Sequence, residues 1–264
     1  MDPSPRARAI LDAISATGTG RIPDLSRRLG VTEETIRRNL RRMEEAGLVT
    51  RLRGGVRLRD RVGESAGEAS FVHRFAENAA AKQRIAAHLA GMIADGATLF
   101  LDVGATTAHV AQALRVRRDL MVVTNSLPVA QALVSHNGNR VFMAGGELRA
   151  HDAGAFGDEA LSFVRQFRVR HAVLSAAAVQ ADGGFALHDL REAEFSRAII
   201  DCAEQAIIAA DASKFTRSAP IRLTDPARIA TLVTDAPPPS AIARMLAAAE
   251  VRVEIAPPLR PEGG

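Results

Sequence analysis

Apolar residues recur at helical spacing near the start of the chain and fall into short unbroken runs further along, so two kinds of architecture are predicted. Ile36, Leu40 and Met43 make one buried stripe of a helix that opens at Thr32. Thr32 is a good N-cap residue, and Glu33 and Glu34 follow where the helix dipole favours acids. At about 100° per residue, Arg38, Arg41 and Arg42 fall on the face opposite the stripe. Gly47 is a natural C′ residue that ends the helix. Residues 48–52 and 56–59 read as two short strands joined by a turn at Arg53-Gly54-Gly55. Upstream, residues 5–16 are helix-prone, residues 22–29 predict a short helix with Pro23 in its first turn, and Gly30-Val31 makes a tight turn. Short helix, glycine turn, longer basic helix and hairpin follow the winged helix-turn-helix order.

Residues 61–70, RVGESAGEAS, carry no period and read as a linker. The pattern then changes. An alanine-rich helix is predicted over 79–94. Strands follow at 98–103, 120–124, 140–143, 171–175, 205–210, 229–233 and 251–255, with helices at 106–114, 126–135, 160–166, 190–202 and 240–249. Several strands are apolar throughout, as when both faces are covered, and their alternation with helices implies a mainly parallel sheet. The expected division is a DNA-binding domain at 1–60, a linker at 61–74 and an α/β effector domain at 75–258. A mobile tail is expected from residue 257.

Charge sharpens the division. Eight arginines lie between Arg37 and Arg59 against two acids, Glu44 and Glu45, and residues 1–60 carry a net charge of +5 while the rest carry −1. Basicity is therefore local, the footprint of a nucleic-acid module attached to a neutral partner. A charged helix alone is usually a solvated face; the helix-turn-helix order is what favours duplex DNA. Candidate DNA contacts are Glu34, Thr35, Arg37, Arg38, Arg41 and Arg42 on the helix, with Arg53 and Arg57 on the wing. Trp and Tyr are absent, which argues against a stacking platform for single strands. Cys202 is the single cysteine, so no intramolecular disulfide or cysteine-based metal cluster is expected. No histidine pair has metal spacing, and no Gly-x-Gly-x-x-Gly follows a strand, so no metal and no cofactor are expected. No apolar run of 18 residues and no signal core occur; a cytoplasmic protein without membrane contact is expected.

In a parallel sheet ligands sit at the carboxyl ends of the strands. Here those ends read Asp102-Val103-Gly104-Ala105-Thr106-Thr107, Thr124-Asn125-Ser126, Gly145-Gly146 and Asp211-Ala212-Ser213-Lys214. Glycine and hydroxyls at a helix start suit a phosphate. Lys214 stands out because the chain has 32 arginines and only two lysines, the other being Lys82. Gly104, Thr106, Thr107, Asn125 and Lys214 are expected to grip a phosphate. Asp102, Glu192 and Asp211 are expected to accept hydrogen bonds from sugar hydroxyls.

The motifs at 31–40, Arg53-Gly54-Gly55, the loop at 102–107, Thr124-Asn125-Ser126, Gly145-Gly146, Arg191-Glu192-Ala193-Glu194 and Asp211-Ala212-Ser213-Lys214-Phe215 together resemble the DeoR type of bacterial transcriptional regulator over almost the whole chain. The resemblance implies a winged helix-turn-helix domain, an effector domain related to ribose-5-phosphate isomerase, binding of a double-stranded DNA operator and a phosphorylated sugar, and repression of carbohydrate-use genes. The chain departs from the family's usual pattern at Asn39, Ala105 and Ser175-Ala176-Ala177-Ala178. A dimer or tetramer is expected, since one helix-turn-helix reads only a half-site. The competing reading is a sugar-phosphate isomerase or deaminase with an appended DNA-binding domain. It is disfavoured because the loop after the fourth effector-domain strand supplies no acid.

Overall fold

A computed structural model describes residues 7, 9–10, 13–14, 19–45, 49–52, 54–58 and 71–259. The chain divides into two compact units, Met1–Ala76 and Glu77–Gly264. Gly47, Arg53 and the linker stretch 61–70 lie outside the described residues, as does the Arg57 side chain.

In the first unit β1 (Thr19–Arg21) precedes α1 (Ile22–Leu29) and α2 (Glu33–Glu45), followed by β2 (Val49–Leu52) and β3 (Gly55–Leu58). Pro23 sits in the first turn of α1, and Gly30 ends it in the left-handed conformation at φ 62°. The Thr32 hydroxyl accepts from Thr35 N at 3.3 Å, so Thr32 does cap α2. Ile36, Leu40 and Met43 are buried with Ile10, Ile14, Leu25, Val49 and Val56. β2 and β3 pair antiparallel from Leu52↔Gly55, so Gly55 belongs to the strand and not to the turn. β1 was not legible in the pattern. It pairs with the other side of β3, and a Cβ on Gly55 would lie 2.8 Å from Gly20 O, so glycine is needed where the two backbones meet. Residues 71–74, expected to be linker, belong to a helix, α3 (Phe71–Ala76).

The second unit is built on seven parallel strands. They are β4 (Thr98–Leu101), β5 (Met121–Thr124), β6 (Arg140–Met143), β7 (Val169–Ser175), β10 (Ala203–Ala209), β12 (Thr231–Thr234) and β13 (Arg252–Ile255), in the spatial order β13-β12-β10-β7-β4-β5-β6. Side chains alternate across each strand. Leu99 and Leu101 join Val122, Val173 and Ile207 on one face, under α4 (Ala79–Met92), α5 (Ala105–Ala113) and α6 (Leu127–Leu133). Phe100 joins Val123, Ala172, Leu174 and Ile208 on the other, under α7 (Asp158–Val164), α8 (Leu190–Asp201) and α9 (Ser240–Ala248). Two cores explain the unbroken apolar runs. The pattern gave no sign of a small antiparallel sheet of β8 (Ala178–Gln180), β9 (Gly184–Leu187) and β11 (Ile221–Arg222). Among the described residues no helix is long and apolar enough to cross a membrane.

Phe100 is fully buried at the centre of the sheet. Phe100→Ala should therefore cost about 3–5 kcal/mol in denaturant unfolding of the second unit. A cost below about 1 kcal/mol would contradict this packing.

Candidate functional site

The DNA-facing candidates stand as the helical pattern requires. Glu34, Arg37, Arg38, Arg41 and Arg42 are exposed on α2, opposite its buried stripe. Arg37 pairs with Glu33 at 3.0 Å along the helix. Thr35 is half-buried, and its hydroxyl lies 2.9 Å from that of Thr32. Asn39 donates to Thr35 O at 2.8 Å, so its amide is held within the helix.

In the second unit the order in which the chain adds strands reverses between β4 and β7. Strands β5 and β6 extend to one side and β10, β12 and β13 to the other. A crevice opens at such a switch point, and here one carboxylate closes its base. Asp102 Oδ1 accepts from the Thr107 hydroxyl at 2.7 Å. Its Oδ2 accepts from Ser175 N at 2.7 Å and from the Ser175 hydroxyl at 3.1 Å. The Thr107 oxygen in turn accepts from Gly104 N at 2.9 Å. A Cβ on Gly104 would lie 2.3 Å from Ser175 Oγ, so only glycine fits. Asp102, Gly104, Thr107 and Ser175 thus form one knot joining the diverging ends of β4 and β7.

This knot corrects part of the expected phosphate grip. The Thr107 side chain is fully buried and its hydroxyl is committed within the loop. The Thr124 hydroxyl likewise donates to Leu101 O at 2.7 Å and accepts from Ser126 N at 3.0 Å. Ser126 caps α6 through Val129 N at 3.4 Å. All three hydroxyls hold loops in place. Ala105 and Thr106, also buried, open the first turn of α5, where backbone N–H groups lack helical partners.

Asp102, Val103, Asn125, Phe156, Ser175, Leu187, Glu192, Phe195 and Ser196 line a narrow recess that opens to solvent and has room inside for about one water-sized group. Asn125 is fully buried there. Its Nδ2 donates to Ala155 O at 2.9 Å, which leaves Oδ1 buried without a partner. Asn125 therefore offers the pocket an unpartnered acceptor, while one of its two amide N–H groups is spent on Ala155 O. Across the pocket, Glu192 is held by Arg149, which also pairs with Asp152 and, at 3.3 Å, with Asp189. The Arg149 guanidinium carbon lies 4.2 Å from the centroid of the Phe156 ring. Burial alone would lower its pKa, but Asp152 and Glu192 raise it above the usual arginine range. Gly145 and Gly146 are exposed and do not line the pocket. They open the loop that carries Arg149, and Gly146 turns it at φ 122°.

Asp211 and Lys214 lie apart from this pocket's lining, beyond the carboxyl end of β10. Asp211 Oδ1 accepts from Ser213 N at 3.1 Å and Asn78 Nδ2 at 3.2 Å, while Oδ2 is buried without a partner. Burial, together with the nearby charges of Arg217 and Lys82, pushes the Lys214 ammonium down to about 8 despite Asp211 and Glu77. Lys82, on α4, is only 2 % exposed and donates to Glu77 O; Arg217 pairs with Glu77 at 2.7 Å. The chain's two lysines and Arg217 are therefore gathered at one place. Sequence reasoning singled out Lys214 and passed over Lys82, although the rarity of lysine marked both. It also passed over Arg149, Arg217 and Ser196. Among the described residues no group of three or more His, Cys, Asp or Glu side chains could hold a metal ion.

Residues 6–62 match the DeoR-like helix-turn-helix domain, and residues 77–236 match the DeoR C terminal sensor domain. The HTH-type transcriptional repressor CsqR of Escherichia coli (strain K12) is 34% identical over 95% of this chain and 94% of its own length. The glycerol-3-phosphate regulon repressor of the same organism is 32% identical over 97% of this chain and 100% of its own. Among solved structures, ribose 5 phosphate isomerase A from Neisseria gonorrhoeae aligns over 50% of this chain and 52% of its own, at 14% identity and a TM-score of 0.35. An exposed basic helix in a helix-turn-helix unit, a parallel-sheet unit with polar strand ends and these two full-length relatives place the chain in the DeoR family of transcriptional regulators.

Proposed function

We propose that the chain represses carbohydrate-metabolism genes from an operator in the cytoplasm and that a phosphorylated sugar relieves the repression. The observation that carries the sensing half is the cation cluster at the strand ends. Holding Lys214 half-buried beside Arg217 and Lys82 opposes its own protonation, and a dianion is the ligand that would reverse that cost. The reading places the phosphate against Lys214, Lys82 and the first-turn backbone of α5, at Ala105 and Thr106, Gly104 N being spent on the Thr107 hydroxyl. The sugar then extends toward Asp102, Asn125 and Glu192, with Asp211 holding the lysine loop. Support for the DNA half comes from the exposed arginines of α2; Arg53 and Arg57 on the wing are assigned to phosphates. The functional division of the chain is taken as a DNA-binding part at 1–60 and an effector-binding part at 75–258, working as a symmetric dimer or tetramer.

No residue is assigned a catalytic role. An isomerase or deaminase needs a base held against the carbon beside a carbonyl. Asp102 is engaged by Thr107 and Ser175, Glu192 is engaged by Arg149, and Ser175-Ala176-Ala177-Ala178 brings no acid.

Arg38→Ala should weaken operator binding by about 1–3 kcal/mol in anisotropy titrations at fixed salt. Unchanged affinity in a folded variant would remove Arg38 from the interface. Lys214→Ala and Lys82→Ala should each keep operator binding while raising the sugar phosphate concentration needed for release. If both respond like wild type, the phosphate binds elsewhere.

The same cluster gives a pH dependence. With Lys214 near 8 in the free protein and raised by a bound dianion, the complex holds more protons than the free form. Effector affinity should therefore fall as pH rises through about 8, by up to about tenfold per unit. Lys214→Arg should abolish that limb, since guanidinium stays charged. A flat response between pH 7 and pH 9.5 would count against Lys214 as the phosphate partner.

A further inference from the structure

The pocket at the switch point is lined by two carboxylates and a buried amide oxygen, and no cationic side chain stands in its lining to welcome a second negative charge. Its unpartnered buried atom is the Asn125 amide oxygen, and the orientation of that amide is fixed by the bond from Nδ2 to Ala155 O. The carboxylates of Asp102 and Glu192 stand in the same lining. The nearby cation, Arg149, faces three carboxylates, Asp152, Asp189 and Glu192. One guanidinium against three acids leaves the surroundings net negative, in a recess also walled by Phe156 and Phe195 where charges are poorly screened.

We propose that this recess is a donor-reading subsite: it accepts one hydroxyl at the neutral tail of a singly phosphorylated polyol or sugar and rejects a tail ending in a carboxylate or second phosphate. The inference rests on the phosphate-sensing reading above and specifies the other end of the same ligand. Asn125 Oδ1 is the specificity-determining acceptor, because a hydroxyl hydrogen supplies the bond it lacks and a carboxylate supplies none. Glu192 adds charge repulsion against an anionic tail, and Arg149 is a positioning residue that holds Glu192 across the pocket. Discrimination of this kind is strong because the wrong ligand leaves a buried polar atom unpaired and sets like charges together.

Matched pairs of equal chain length test this on the full chain. Glycerol 3-phosphate is compared with 3-phosphoglycerate, and ribitol 5-phosphate with 5-phosphoribonate, by calorimetry and thermal shift, with inorganic phosphate as a third arm. Wild type should bind the polyol phosphate of at least one pair about tenfold or more tightly than its acid. Glu192→Gln should narrow that preference at least about threefold, since it removes the charge while keeping an acceptor. Asn125→Asp should lower affinity for the acid still further, if it folds; the glutamine variant decides the matter if it does not. Equal binding within both pairs, or a preference unchanged in Glu192→Gln, overturns the inference and leaves phosphate sensing standing. If no phosphorylated probe binds and inorganic phosphate gives no shift, the sensing reading fails and takes this inference with it.

Discussion

The Asp102 carboxylate is the constraint on which the sensor unit's architecture turns. Parallel strands β4 and β7 lie side by side, yet the chain leaves them toward opposite faces of the sheet. Something must hold the two departing loops together, and Asp102 does so by accepting from Thr107 on one side and Ser175 on the other. Buried charge is tolerated there because its lone pairs are met by a backbone N–H and two hydroxyls. Gly104 completes the arrangement by letting Ser175 approach closer than any side chain would allow. The knot fixes the start of α5, where the first-turn N–H groups have no helical partners. A carboxylate and a helix terminus that could have been separate features are therefore one unit.

Much of this was readable in advance, for identifiable reasons. Leu99, Phe100 and Leu101 form an apolar run because two cores need successive side chains, and the run predicted a covered parallel strand. Ile36, Leu40 and Met43 fixed the orientation of α2, and with it the exposed arginines. What failed was direction and partnership. Thr107 and Thr124 have hydroxyls at strand ends as the motif suggests, but composition does not say whether a hydroxyl faces a ligand or its own backbone. β1, β8 and β11 are two or three residues long, too short for any period to register. Lys82 sits in an alanine-rich helix whose pattern gives no sign of its burial; only tertiary packing buries it. Arg149 was masked by the abundance of arginine, its distinction being the three acids around it.

Charge separates the two ends of the proposed sensing site. Lys82, Lys214 and Arg217 gather beyond β10, whereas Asp102, Asn125 and Glu192 face the pocket between β4 and β7. A ligand with one anionic head and a donor-rich tail matches that division. Control of DNA binding then requires only that such a ligand prefer one arrangement of the protein over the other, and about 1.4 kcal/mol of preference changes operator affinity tenfold.

The scarcity of lysine supplies the most direct check on the central claim that these cations hold the effector's phosphate. Protein labelled with carbon-13 at the lysine ε position should give two resonances, one each for Lys82 and Lys214. Titrating a phosphorylated polyol should move both resonances together, and the pH midpoint of Lys214 should rise from about 8 as the dianion binds. Two unmoved resonances in a sample that the same ligand releases from its operator would contradict the account.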